Sequence, residues 1–154
     1  SEVKVAIKII TKNKRAGYDY SLSDVYEAGI SLQGTEVKAL RAGKCSIAES
    51  FVMIDEKKDE CWILNMNIPL YEFGSDANHT EARKRKLLLN KAEILQIKKA
   101  MAVKGLSLIP TKIYFKGSYV KIEIALGKGR KHYDKRDAQA TKDVERKLQQ
   151  KNYD

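Results

Sequence analysis

Histidine, cysteine, tryptophan and proline are all scarce in this 154-residue chain, which has two histidines, two cysteines, one tryptophan and two prolines. Each shortage excludes a chemistry. His79 and His132 are the only imidazoles available for an acid/base pair. His132 lies in a segment with too little apolar surface to hold it at the placement that catalysis needs. Cys45 and Cys61 are too few and too far apart for a disulfide framework or a thiolate zinc site, and read as reduced packing or surface residues. No His/Cys/Asp/Glu cluster has metal-ligand spacing, and no phosphate-cradling glycine motif or nucleophile turn is present. No apolar run approaches the ~20 residues of a membrane span. Lys4, Lys8, Lys12 and Lys14 interrupt the N-terminus where a signal peptide would be apolar. The expectation is a cytoplasmic protein that is not an enzyme, with no cofactor, no metal and no membrane partner.

What is present is positive charge. Thirty Lys+Arg against 20 Asp+Glu give a net charge of +10 and a pI near 9.5. That balance suits a polyanionic partner, although an ordinary solvated basic surface has the same charge. The bases concentrate in residues 1–17, in Arg83 to Lys86 and in Gly127 to Arg136. Tyr18, Tyr20 and Tyr26 follow the first cluster, and Tyr133 sits within the third. Bases beside aromatics can hold phosphates and stack unpaired nucleobases. Tyr18 and Tyr20 serve equally well as core packing, whereas no strand pattern surrounds Tyr133 to bury it. Glu27, between Tyr26 and Ala28, has two readings. It is a solvent-facing acid, which the residues alone favour, or an acceptor for base amino and imino groups.

The stretch from Gln33 to Lys44 organises the chain. Thr35 can accept the amides of a helix start, and Gly43 suits a left-handed stop. Val37 and Leu40 share a face, with Glu36, Lys38 and Arg41 pointing elsewhere. So short a helix must plug something to persist. Strands are expected around Tyr18–Leu22 and Ala28–Leu32, with a bend or bulge over 24–29. Residues 47–54 and 61–66 form a hairpin across the charged link 55–60, and 69–80 reads as a loop. Asn90 and Glu93 form a capping box for a helix over 91–104 that ends at Gly105. Residues 106–115 and 119–126 form a second hairpin around Lys116-Gly117-Ser118. At the N-terminus, Val3, Val5, Ile7 and Ile9 alternate as in a strand, but a basic arm that orders on RNA fits as well. Beyond Leu126 the composition changes, and Ala140, Val144 and Leu148 form too thin a stripe to dock a helix. Three segments are therefore expected. They are a basic arm over 1–17, a body over 18–126, and a tail over 127–154 that is disordered when free and helical when bound.

The motifs also resemble a known family. In order they are Asn13-Lys14-Arg15-Ala16, Tyr20, Tyr26-Glu27-Ala28-Gly29-Ile30 and Gly34-Thr35-Glu36-Val37-Lys38-Ala39-Leu40-Arg41-Ala42-Gly43. Asn65-Met66-Asn67-Ile68, Arg85-Lys86-Leu87-Leu88-Leu89 and Lys112-Ile113-Tyr114-Phe115-Lys116 follow. Gly127-Lys128-Gly129-Arg130-Lys131 and Tyr133-Asp134-Lys135-Arg136 close the series. This order resembles the small protein B (SmpB) family, partners of transfer-messenger RNA in ribosome rescue. The resemblance implies a mainly β fold with flanking helices: a closed antiparallel barrel with an OB-like core, a short plug helix and one longer helix. It implies a non-catalytic monomer, bound one-to-one to the transfer-RNA-like domain of transfer-messenger RNA and delivered with it to stalled ribosomes. By position, Asn13, Arg15, Tyr20, Glu27, Lys38, Arg41, Lys86 and Leu88 would contact that RNA. Lys128, Gly129, Arg130, Lys131, Tyr133, Asp134, Lys135 and Arg136 would enter the small-subunit decoding centre and the empty messenger channel. Tyr18 stands where many relatives carry histidine, and the run after Arg136 departs from the family pattern. A structural RNA-binding component of the ribosome is the alternative.

Overall fold

The computed structural model describes residues 5–74 and 78–130. Its strands are β1 (Ile7–Lys12), β2 (Tyr20–Ile30), β3 (Phe51–Asp55), β4 (Glu60–Leu64), β5 (Arg85–Leu88), β6 (Ser107–Lys116) and β7 (Tyr119–Gly129). Its helices are α1 (Ala16–Asp19), α2 (Gly34–Arg41) and α3 (Lys91–Lys104). All strand pairs are antiparallel, in one sheet of order β1-β6-β7-β2-β5-β4-β3. The mainly β expectation holds. The ladder series is open, however: its end strands β1 and β3 are not paired with each other, so the hydrogen bonding does not make a closed barrel. The sheet nevertheless curls until backbones of β3 and β6 come within 8 Å. Inside the curve, Ala28, Val52, Ile63, Leu87, Ile113, Ile122 and Ile124 pack with Leu40 of α2 and Ile97 of α3.

Local signals place the elements they govern. Asn90 Oδ1 accepts from the Glu93 amide at 2.8 Å, and the Asn90 amide donates back to Glu93 at 3.2 Å, starting α3. The β6–β7 turn closes over Gly117-Ser118, with Gly117 at φ +61°. The β2 halves are one strand, and a bulge between Leu22 and Val25 supplies the bend. At the N-terminus the strand alternative is the observed one, because Ile7 pairs with Lys116 and Lys12 with Lys112.

Several expectations change: the strand expected from Tyr18 begins at Tyr20, because Ala16–Asp19 form α1, and the strand expected over 47–54 begins at Phe51. β7 runs to Gly129, so Gly127, Lys128 and Gly129 pair with Leu22, Ser21 and Tyr20 and belong to the sheet, not to a tail. β5 is a strand hidden in the basic run, since its inward residues are Arg85 and Leu87 and no apolar alternation marks it. α2 does stop at Gly43, with φ +79°, but Thr35 is not its cap. Gln33 holds that place, its amide donating to Glu36 Oε1 at 2.8 Å. Thr35 instead lies 2.9 Å from His79 Nδ1, whose Nε2 donates to the Ile68 carbonyl at 2.8 Å. Finally, Glu36 does not point away from the core: it is 0% exposed. Lys131, Tyr133, Asp134, Lys135 and Arg136 lie outside the described residues.

Candidate nucleic-acid interface

Two carboxylates set the geometry of the surface. The first, Glu36, receives the Arg85 Nε and an Arg83 Nη inside the protein. Arg85 also donates to the carbonyls of Met66 at 2.6 Å and Glu81 at 2.9 Å, so its planar fork is spent on buried acceptors. Burial alone would push the Glu36 carboxyl up. Hydrogen bonds from Arg83, the Gln33 amide and Arg85 outweigh burial and hold it below its ordinary value. This knot ties α2 to β5 and fixes which β5 side chains turn outward: Lys86 and Leu88.

The second carboxylate, Glu27, lies on the outer face of β2, with 37% of its side chain exposed. The buried Tyr114 donates its hydroxyl to Glu27, and Lys116 Nζ lies 3.1 Å from Oε1. The Tyr114 hydrogen bond leads in holding the Glu27 carboxyl below its ordinary value; burial opposes it and Lys116 reinforces it. Burial and Glu27 together push the Tyr114 hydroxyl up, so the shared proton stays on tyrosine. A carboxylate has about four acceptor sites, and these two donors leave some open toward solvent. Beside it, Leu88 of β5 pairs with Gly29 of β2, and Gly29 with Lys121 of β7. Directly paired residues share a face, so Glu27, Gly29, Leu88 and Lys121 form one exposed patch. Leu88 is 53% exposed.

The remaining candidates fall into two groups. Arg15 lies 5.3 Å from the Tyr18 ring centroid and pairs with Asp19 at 3.4 Å. Tyr20 pairs with Gly129, and the Arg130 amide donates to the Asp19 carbonyl at 2.9 Å. The structure therefore brings Arg15 and Tyr20 together with Lys128, Gly129 and Arg130. Asn13 is occupied in building that corner, because its Nδ2 donates to the Pro110 carbonyl at 3.0 Å and its Oδ1 accepts from the Arg15 amide. On α2, Lys38 lies 5.5 Å from the Tyr71 ring centroid. Arg41 lines a cleft of about 290 Å³ with Lys8, Phe115 and Gly117. Lys86 Nζ is 4.0 Å from Glu60.

The residues alone did not single out Tyr114 and Lys116 for the site. The signal was there in part, since alternation puts Lys112, Tyr114 and Lys116 on one face of β6. The partner, Glu27, is 87 positions from Tyr114, beyond any local pattern. Among the described residues, no three His, Cys, Asp or Glu side chains gather to hold a metal ion. No helix among them is long and apolar enough to cross a membrane.

A family model described as "SmpB protein" matches residues 10–153. An SsrA-binding protein of Carboxydothermus hydrogenoformans is 46% identical over 142 residues, covering 92% of this chain and 94% of the relative. An SsrA-binding protein of a Nocardioides species is 48% identical over 143 residues, covering 93% and 89%. A solved chain, from a structure described as "tmRNA-SmpB: a journey to the center of the bacterial ribosome", is 41% identical with a TM-score of 0.65. That match covers 88% of this chain and 94% of the solved one.

Proposed function

Because the chain belongs to the SmpB protein family, we propose that it binds transfer-messenger RNA and carries it to stalled ribosomes for rescue. It acts by binding rather than catalysis, as a monomer in a one-to-one complex, in the cytoplasm where ribosomes work. The approach of β3 to β6 is the seam at which the curled sheet would close as an OB-like barrel.

The single observation that carries the RNA-reading face is Glu27. An acid kept ionised and half-exposed beside Lys116 and Lys121 runs against the logic of a plain phosphate-binding surface, where it would repel the ligand. It fits a surface that accepts hydrogen bonds from base edges while the lysines hold phosphates. Leu88 supplies apolar contact beside it, and Arg15, Tyr20, Lys38 and Arg41 extend the cationic and stacking surface. Asn13 contributes by fixing the Arg15 corner. Binding of the transfer-RNA-like domain should be compared with binding of an unrelated structured RNA of equal length. The wild-type chain should prefer the former, and Glu27→Gln should remove the preference. Equal binding of both RNAs by the wild type would refute the reading.

The segment after the sheet completes the proposal. Lys128 and Gly129 at the end of β7, with Arg130, would lead out of the sheet into Lys131, Tyr133, Asp134, Lys135 and Arg136, which would carry a helix-forming tail into the decoding centre and the empty messenger channel. The informative truncation is after Arg130, since ending at Leu126 would also remove three residues paired with β2. A chain ending at Arg130 should bind the RNA within a few-fold of wild type and fail to support tagging of stalled peptides. Continued tagging would end the division of labour.

A further inference from the structure

The outer face of β3 and β4 carries large apolar side chains where a solvent-facing sheet surface is normally polar. Phe51 is 46% exposed and Met53 is 47% exposed, while Val52 between them points into the core. Met53 pairs with Trp62 of β4, and Trp62 pairs with Lys86 of β5, so one row crosses three strands on the same face. Phe51 pairs with Leu64 in the next row. Lys84 Nζ stands 4.7 Å from the Trp62 ring centroid. Leu88, two positions beyond Lys86, carries the same face on to Gly29 of β2. β3 is also an end strand of the sheet, where exposed apolar side chains invite self-association unless a ligand covers them.

From this row we propose a nucleobase-stacking platform on β3 and β4. Trp62, Met53 and Phe51 receive unpaired RNA bases, and Lys84 and Lys86 hold the intervening phosphates. Two observations favour RNA as the occupant. The apolar row is bordered on the β5 side by Lys84 and Lys86, which suits a ligand with apolar faces on a polyanionic thread, with Asp55 and Glu60 marking its end on β3 and β4. It is also joined through Lys86 to Leu88, two positions along β5 on the same face, which is the face assigned above to RNA. The lysine over Trp62 marks a ring whose π-face already attracts cations and is open to displacement by a base. The proposal rests on the RNA-binding reading and extends its footprint across β5 to the far end of the sheet.

Trp62 is the only tryptophan of the chain, so its emission reports the platform directly. The full chain is titrated with the transfer-RNA-like domain and with an unpaired oligoribonucleotide, following emission and, separately, affinity. Stacking should quench Trp62 saturably with both RNAs. Trp62→Leu and Met53→Ser should each weaken affinity about tenfold, within the range of one lost base stack. Trp62→Phe should retain most of it. Met53→Ser changes a half-exposed side chain, so its melting temperature should stay within a few degrees and its readout survives even if Trp62→Leu misfolds. Unchanged emission at saturating RNA, with wild-type affinity in Met53→Ser, would overturn the platform. So would quenching by a ribosomal protein but by neither RNA. If Glu27→Gln loses binding while Met53→Ser does not, the platform alone falls. If the wild type binds neither RNA, the underlying reading falls with it.

Discussion

Glu36 and Glu27 are both carboxylates held below their ordinary pKa by hydrogen bonds from neighbours, yet they sit in opposite settings. Glu36 is 0% exposed and sits between Arg83 and Arg85. Its acceptor capacity is consumed inside the protein, and what it yields is the placement of α2 against β5. Glu27 is held from one side, by Tyr114 and Lys116, and keeps acceptor sites facing solvent. A depressed carboxyl pKa by itself therefore does not separate a buried fastening from a carboxylate with free acceptor sites. The unspent lone pairs do.

The comparison breaks most visibly at Glu36. Glu36→Ala leaves Arg85 buried without its charge partner, a loss of about 3–5 kcal/mol for a broken buried pair. The variant should melt far below wild type or fail to fold, with RNA binding lost as a consequence. Melting within a few degrees of wild type would show that the knot is not a fastening.

Glu27→Ala should do the reverse. Losing hydrogen bonds to a charged acceptor costs about 1.5–3 kcal/mol, here in RNA affinity, while water replaces the acceptor for the Tyr114 hydroxyl. A large drop in melting temperature with unchanged affinity would move Glu27 into the class of Glu36.

Acid should sharpen the contrast. A carboxyl depressed in the folded state stabilises above its unfolded value and loses that contribution as pH falls through the folded one. Stability should hold from neutral pH to about 4.5, the ordinary value of both groups, and fall below it. Glu27→Gln should retain most of that acid slope, because Glu36 has the stronger set of donors. Urea midpoints measured between pH 3 and 7 read this out, and loss of the slope in Glu27→Gln would invert the ranking.

The smallest effect concerns single cations. Lys86→Ala should flatten the slope of log affinity against log salt by about 0.7–0.9, one phosphate's worth. Arg83, although in the same basic run, is engaged with Glu36 and should act on stability instead. An identical salt slope in wild type and Lys86→Ala would remove that lysine from the interface.

What the sequence disclosed divides along the same line. α3 was legible because Asn90, Glu93 and Gly105 act on each other within one helix. The β6–β7 hairpin was legible because its turn and its alternation are local. Glu36 was misplaced because its partners lie 47 and 49 positions away, and a carboxylate in a short amphipathic helix ordinarily faces water. Gly127 to Gly129 read as a linker by composition. In the sheet the first glycine allows a close approach, since a Cβ there would meet Tyr20 and Leu22 at 3.1 Å and push both side chains aside. The candidate site was legible by type, as bases beside tyrosines, but not by grouping. No local rule places Arg15 beside Gly129.

The strand order also governs how the chain reaches this state. β1 and β2 are the first strands to be synthesised, yet β1 pairs with β6, and β2 with β7 and β5. Only the β3–β4 and β6–β7 hairpins can zip from neighbouring sequence. A nascent chain therefore carries β1 unpaired until β6, ending at Lys116, has emerged, and β2 with one open edge until β7, ending at Gly129, has emerged. The sheet must then condense around the last hairpin rather than grow from the first strand. So many non-local pairings predict slow refolding for a body of this size. They also leave an aggregation-prone interval in which chaperones would find their target.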